Sequence, residues 1–208
     1  MKILAFDREL AAWSAEMAGA LASDDLPAQA PAACAVITDS ATLRPREPMF
    51  VPDFARGWQL MVAPALTVQR LGKWIAPRFA SRYVGDFRLC VRLLPPDGAY
   101  PLGALETNFD GALAWGRPRP AEELRAGGFL TLSASLSADP AIQHELTLRW
   151  ADMRFDETIA LASRYMTLKT GDVIIPCRTP LLFPVLTGTR LCVTAAGDAD
   201  PDINLKIK

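Results

Sequence analysis

The chain has 208 residues, of which 50% are hydrophobic and 22% charged, with a formal net charge of −1. This length suggests one domain, 1–208, that buries about 70% of its unfolded surface. A balanced charge with scattered basic residues gives no electrostatic case for nucleic acid or an anionic membrane. Apolar runs fall short of the about 20 residues that span a bilayer, and acids interrupt the start where a secretion signal would be apolar.

The first half predicts short strands and two helices. Helices are expected from Asp7 through Leu21, with Asp7 as the cap, and over residues 73–83. Pro64 interrupts an otherwise strand-like segment, which favours an edge strand or a bulge there. The predicted strands are residues 1–6, 34–38, 49–51, 59–68 and 86–94.

The second half predicts a hairpin, one helix and three closing strands. The hairpin joins residues 129–136 to 142–150, with apolar side chains alternating along both arms. Asp156 is the expected cap of the helix, and Gly171 stands where a helix terminator belongs. Strands with few helices and no regular βαβ alternation predict a β-rich α+β domain. The four cysteines are scattered without a CxxC pair, so we expect single buried thiols in a reducing cytoplasm.

Six segments resemble, in the same order, segments of the fumarylacetoacetate hydrolase (FAH) family. The fourteen-residue segment 70–83 closely matches the family pattern RLGKNIAxRFAHRY, and 163–172 is similar to SRFFTLKxGD. The matching segments are KILAFDRELAAWSAEM at 2–17, ITDSATLRPREPMFVPDF at 37–54, RLGKWIAPRFASRY at 70–83, NFDGALAWG at 108–116, ADMRF at 151–155 and SRYMTLKTGD at 163–172. The resemblance implies an FAH-like fold, a mixed β-roll or sandwich with a few short helices, and a homodimer.

The resemblance also implies a metal-dependent chemistry. Family members cleave, isomerise or decarboxylate acylpyruvate-like diketo acids, with Mg²⁺ or Mn²⁺ chelating the keto-acid oxygens. A Glu-x-Glu pair and a downstream aspartate hold the ion, because hard cations take oxygen ligands. The bound ion acts as a Lewis acid on the developing enolate.

This chain departs from the family at each metal position. An ungapped count places the glutamate pair on Met61 and Ala63 and the aspartate on Arg92, and none of these can donate an anionic oxygen. A guanidinium about 5 Å from a dication, at an effective dielectric of 20, repels it by about 7 kcal/mol. We therefore expect no metal site and no resident cofactor. A gapped count through VGDF instead gives the aspartate position to Asp86 alone.

Other functional positions of the family are also replaced. The histidine near the first helix becomes Trp13, and the lysine before the FDG-like turn becomes Thr107. The small-residue ligand loop reads PCRTP, in which Pro176 removes an amide donor and Arg178 adds bulk and charge. The one histidine, His144, lies on the predicted hairpin as an exposed or hydrogen-bonded strand residue.

Three functions remain open from the sequence. The favoured one is a degenerate paralogue that has lost its catalytic residues and serves in assembly or ligand binding. A second is an ordinary Mg²⁺- or Mn²⁺-dependent hydrolase, isomerase or decarboxylase of diketo acids, with Asp86 in an altered site. The third is a metal-free keto-acid binder in which Arg92 and Arg178 clamp a carboxylate through bidentate hydrogen bonds.

Overall fold

The computed structural model describes residues 1–6, 34–95, 108–125, 129–137, 139–150, 155–176 and 181–208, with the backbone alone for 139–142. The helix predicted at 7–21 lies outside these residues. The strands are β1 Ile3–Phe6, β2 Cys34–Ile37, β3 Gln59–Val68, β4 Val84–Leu94, β5 Leu113–Trp115, β6 Arg119–Pro120, β7 Phe129–Leu136, β8 Asp139–Arg149, β9 Val173–Ile175, β10 Leu181–Pro184, β11 Arg190–Ala195 and β12 Ile203–Lys206. The helices are α1 Pro77–Ala80, α2 Glu122–Arg125 and α3 Phe155–Tyr165, with 3-10 turns at Asp39–Ala41 and Ser81–Tyr83.

The strands form two sheets. The larger runs β2-β1-β9-β3-β4-β5, with β10 added beside β3 and β6 beside β4. The smaller runs β12-β11-β7-β8 and is antiparallel throughout. In the larger sheet the β1–β9 pairing is parallel and the others are antiparallel. The predicted β-rich α+β class is confirmed. Among the described helices, none has the length and apolarity needed to cross a membrane.

The main core is built by alternating apolar side chains. Leu132, Ala134 and Leu136 of β7 are almost fully buried, as the hairpin pattern predicted. Alternate residues of β3 and β4 belong to the same core, and α3 contributes Ile159 and Ala162 to it. In β7, burial of one face of the strand is what a period of two in hydrophobicity produces.

A second apolar cluster covers the opposite face of the larger sheet. Its members are Ile3, Ala5, Ile37, Ala41, Met61, Ala63, Ala65, Cys90, Ala112, Leu113, Val173 and Ile175. Strands β1 and β9 are therefore buried at every residue. A sheet covered on both faces requires near-continuous apolar strands, which explains the composition of β3 as well.

Several sequence predictions need correction in β3 and its surroundings. Strand β3 is interior, not an edge, and it continues through Pro64 opposite Leu89. On its other side β10 pairs with residues 59–62 and β9 with residues 66–67, so Pro64 falls between two partner strands. The register shift lies instead between Thr67 and Val68. Strand β10 itself was not predicted.

The helix and cysteine predictions were also wrong in part. The helix predicted over 73–83 is only α1 followed by a 3-10 turn, and the strand predicted at 49–51 is a single bridge from Met49. Asp156 is the second residue of α3 and not its cap. The helix ends before Gly171, whose positive φ of 87° serves the turn that leads into β9. Cys90 is buried as predicted, whereas Cys34 and Cys192 are half-buried.

An ion pair fastens the amino terminus to the turn before β9. The Lys2 ammonium lies 2.5 Å from a carboxylate oxygen of Asp172, and the Lys2 and Lys169 amides donate to the same group at 2.9 and 2.8 Å. Burial raises the pKa of Asp172, but the hydrogen bonds from the Lys2 side chain and these two amides outweigh it and hold the pKa below its usual value. The carboxylate form is thus stabilised in the folded state.

We predict that Asp172→Asn lowers the free energy of unfolding at pH 7 by about 2–3 kcal/mol, because charged hydrogen bonds to a buried acceptor are lost. A depressed folded pKa gives stability that is present above the unfolded pKa, about 3.9, and is lost as the pH falls through the folded value. The difference between variant and wild type should therefore shrink below about pH 4 in urea unfolding. Asp200→Asn, at an exposed carboxylate, is the control; an equal loss at pH 7 and pH 3 would contradict the prediction.

Candidate functional site

The antiparallel pairing of β3 with β4 brings three sequence-predicted positions together. Met61 lies directly opposite Arg92, and Ala63 lies opposite Cys90. Side chains two residues apart share a face of a sheet, so Met61, Ala63 and Arg92 all point to the same side. Opposed residues have Cβ atoms about 4.5–5.5 Å apart, which makes this a compact group of neighbours.

The group is buried in the second apolar cluster. The exposed fractions are 1% for Met61, 0% for Ala63 and 1% for Arg92. Leu182 of β10 pairs with Met61 on the other side, and Leu113 of β5 pairs with Arg92. The side chains at these positions are therefore a thioether, a methyl and a guanidinium in a largely hydrocarbon setting.

This set of side chains does not fit a hard divalent cation. Mg²⁺ and Mn²⁺ prefer oxygen ligands, above all carboxylates, and the three positions offer none. Within the described ranges, no group of three or more His, Cys, Asp or Glu side chains is placed to hold a metal ion. No chemical step at this site can be derived through a metal bound by these three residues.

Asp86 lies at the far end of the same strand pair. It is opposite Thr67, whose hydroxyl donates to its carboxylate at 2.7 Å, and Arg88 approaches it at 3.5 Å. Six residues separate Asp86 from Arg92, which corresponds to about 20 Å at the rise of an extended strand. The carboxylate shares the face of Met61 and Ala63 but is too distant to share an ion with those positions.

Two of the other sequence-predicted positions, His144 and Pro176, fall within the described residues. His144 is exposed on β8, as expected, and its ring meets Phe183 edge to face with centroids 4.9 Å apart. Pro176 is buried directly after β9. Trp13, Thr107 and Arg178 lie outside the described residues.

Sequence reasoning missed a second arginine on this face. Arg88 precedes Arg92 by four residues in β4, so both point to the same side of the sheet. Its guanidinium lies over the Trp115 ring, 5.7 Å from the centroid, and lines a cavity together with Arg44 and Arg46. The even spacing of Arg88 and Arg92 within one predicted strand was the available signal.

Comparison with known proteins identifies solved structures that share the fold of this chain. No protein-family model matches the chain, and no curated protein matches it. Among solved structures, a fumarylpyruvate hydrolase from Pseudomonas aeruginosa in complex with Mn²⁺ and pyruvate superposes with a TM-score of 0.72 at 15% identity, covering 100% of this chain and 90% of that one. The 5-carboxymethyl-2-hydroxymuconate delta-isomerase from Mycobacterium smegmatis gives a TM-score of 0.70 at 15% identity, covering 99% and 78%. A candidate fumarylacetoacetate hydrolase family protein from Yersinia pestis CO92 gives 0.72 at 15%, covering 100% and 92%.

The chain therefore has the fold of the fumarylacetoacetate hydrolase-like proteins, as the resemblance implied. The match extends over the whole chain and over most of each of these neighbours. At these identities the superpositions establish the architecture alone, and what the site does must be argued from its own side chains.

We predict that the triple variant Met61→Glu, Ala63→Glu, Arg92→Asp gains a divalent-metal site, because the three positions converge. Without metal, three buried like charges should lower the thermal unfolding midpoint. Mn²⁺ at about 100 times its Kd should then stabilise the variant by about 2.7 kcal/mol and leave the wild type unchanged.

The matched control replaces the same residues by neutral amides, Met61→Gln, Ala63→Gln and Arg92→Asn. The midpoint of this control should not respond to Mn²⁺. A triple carboxylate variant that Mn²⁺ fails to stabilise would show that the three positions do not converge on one ion.

Proposed function

We propose that this protein is a catalytically degenerate relative of the fumarylacetoacetate hydrolase family, serving as an assembly or ligand-binding protein. The observation that carries the proposal is the convergence of Met61, Ala63 and Arg92 on one buried face. These are the positions that the resemblance assigns to the metal carboxylates. Similarity to a hydrolase solved with Mn²⁺ and pyruvate supports the proposal by showing that the fold is shared.

The strand register supports the ungapped correspondence on which this proposal depends. Three ligands of one ion must lie within a few ångströms of each other, and Met61, Ala63 and Arg92 satisfy that requirement. The gapped alternative needs Asp86, about 20 Å further along β4. The geometry thus favours the count in which every metal carboxylate has been replaced.

Packing of the group also supports the proposal. Met61 and Ala63 belong to a continuous apolar cluster, in which an unpaired dication would lose its hydration without gaining ligands. The positive charge of Arg92 adds repulsion to that cost. The replacements convert a position suited to chemistry into one suited to packing.

A second candidate is a metal-free keto-acid binder that uses Arg92 and Arg178. The burial of Arg92 on the face where the family binds its ion favours this candidate, because a guanidinium can hold a carboxylate in two hydrogen bonds. The candidate would be supported if pyruvate or oxaloacetate raised the unfolding midpoint of the wild type in a thermal-shift experiment and did not raise that of Arg92→Met. If neither acid raises the unfolding midpoint, the clamp is excluded.

We predict no turnover of fumarylpyruvate or other acylpyruvates in the presence of Mg²⁺ or Mn²⁺ above the rate with a chelator. The reason is that no Lewis acid is held beside the keto-acid oxygens. Spectrophotometric loss of the substrate enol measures this, with an active member of the family assayed in parallel as the positive control. A metal-dependent rate well above the chelated sample would overturn the proposal and restore the hydrolase, isomerase or decarboxylase alternative.

The resemblance also implies a homodimer, and the composition a cytoplasmic protein. Both remain part of the proposal. Sedimentation equilibrium of the purified chain measures the first directly, and a monomer at micromolar concentration would remove the assembly role between identical copies.

A further inference from the structure

A cavity with a volume of about 450 Å³ lies beside Arg88 in the middle of β4, between the turn after β2 and strand β12. Its lining includes Arg44, Arg46, Arg88 and Arg117, together with Trp115. Small-molecule sites have volumes of about 300–1,000 Å³ and combine an aromatic or apolar wall with a few placed polar groups. This cavity has the size and the composition of such a site, with an excess of positive charge.

The two carboxylates in the lining are engaged by other groups. Asp202, 7% exposed, accepts from the Nε atoms of Arg117 and Arg119 at 2.7 and 3.0 Å. Glu47 accepts the Arg44 amide at 3.0 Å. Arg117 is paired with Asp202 and Asp198, so the charge that remains is that of Arg44, Arg46 and Arg88 against the carboxylate of Glu47, and it is positive.

Arg88 has a buried hydrogen-bond donor for which the described residues provide no acceptor. Its Nε is buried and, among the described residues, has no hydrogen-bond partner. The ion pair of its guanidinium with Asp86 is a long one, at 3.5 Å, and its guanidinium carbon lies over the Trp115 ring, 5.7 Å from the centroid. Buried donors are nearly always satisfied, so Arg88 is an arginine whose hydrogen bonds the described residues leave incomplete.

Arg46 is held in a conformation that its side chain disfavours. The Glu47 amide donates to the Arg44 carbonyl at 3.1 Å, which closes a turn with Pro45 and Arg46 in the middle. Arg46 has a φ of 71°, a value that this turn type normally reserves for glycine or asparagine. Neither Arg44 nor Arg46 has an ion pair within the described part of the chain. The turn therefore places two arginines without an ion pair in the lining of the cavity, at a conformational cost.

We propose that this cavity binds a small organic anion whose carboxylate or phosphate group is held by Arg44, Arg46 and Arg88 while a flat apolar body lies against Trp115. Guanidinium groups bind both kinds of anion through paired, charge-assisted hydrogen bonds. The indole surface supplies the contact for an aromatic or conjugated ring. Arg88 and Arg92 are about 13 Å apart along β4, so this site is separate from the position of the lost metal ligands.

The anion site does not depend on the proposed loss of catalysis. A chain that turned over acylpyruvates could still bind an anion here, and an inactive chain could fail to bind one. The two experiments can therefore fail independently.

The test is isothermal titration of the full chain with four probes: phthalate and phenyl phosphate, which carry a ring, and succinate and inorganic phosphate, which do not. We expect saturable 1:1 binding of a ring-bearing probe. Whichever of phthalate and phenyl phosphate binds more tightly shows whether the site prefers a carboxylate or a phosphate group. Arg88→Gln and the double variant Arg44→Gln, Arg46→Gln should each weaken that binding by about tenfold or more. Raising the salt concentration should weaken it as well.

The matched control is Arg149→Gln, an exposed arginine on β8 of the other sheet, which should keep the wild-type affinity. The double variant changes only an exposed turn, so it tests the proposal even if Arg88→Gln fails to fold. Absence of saturable binding for all four probes overturns the proposal. The proposal is also overturned if Arg88→Gln or the double variant keeps the wild-type affinity. It is overturned as well if Arg149→Gln loses as much affinity as those variants do. Equal affinity for the ring-free probes overturns the assignment of a flat body against Trp115.

Discussion

The register between β3 and β4 is the constraint on which the rest of this structure depends. It sets Met61 opposite Arg92 and Ala63 opposite Cys90, and it thereby decides which side chains meet on each face of the larger sheet. A slip by one residue would exchange the two faces and carry Leu60 and Val62 out of the main core. Because both faces are buried, that slip would be costly everywhere along the strand, and the register is strongly specified.

The same register brings positions 61, 63 and 92 together on one buried face of the larger sheet. In a sheet covered on both sides, carboxylates converging on one face are tolerable only with a cation between them. Methionine and alanine at positions 61 and 63 remove that requirement and extend the apolar cluster. These side chains therefore pack in the sheet without requiring a cation between them. Arg88 of β4, on the same face, also lines the cavity that contains the arginines of the turn after β2.

Much of the architecture was predictable because it follows from local patterns. The alternation of apolar residues predicted the hairpin and the inward face of β7. The ordered segments that resemble the family predicted the FAH-like fold. Strand β10 was missed because four residues with a terminal proline carry little periodic signal. The Pro64 prediction failed because a tertiary arrangement, two partner strands that meet beside it, decides whether a proline is tolerated. The arginine cavity was missed for a related reason: Arg44 and Arg88 are far apart in sequence, and only strand pairing and the turn after β2 bring them together.

Diffraction from crystals grown with Mn²⁺, recorded near the manganese absorption edge, tests the central claim most directly. The account predicts no anomalous peak within coordination distance, about 2.0–2.6 Å, of any atom on the face that carries positions 61, 63 and 92. A strong peak there, with octahedral coordination by acidic side chains from elsewhere in the chain, would contradict it and return the protein to the metal-dependent enzymes of its fold.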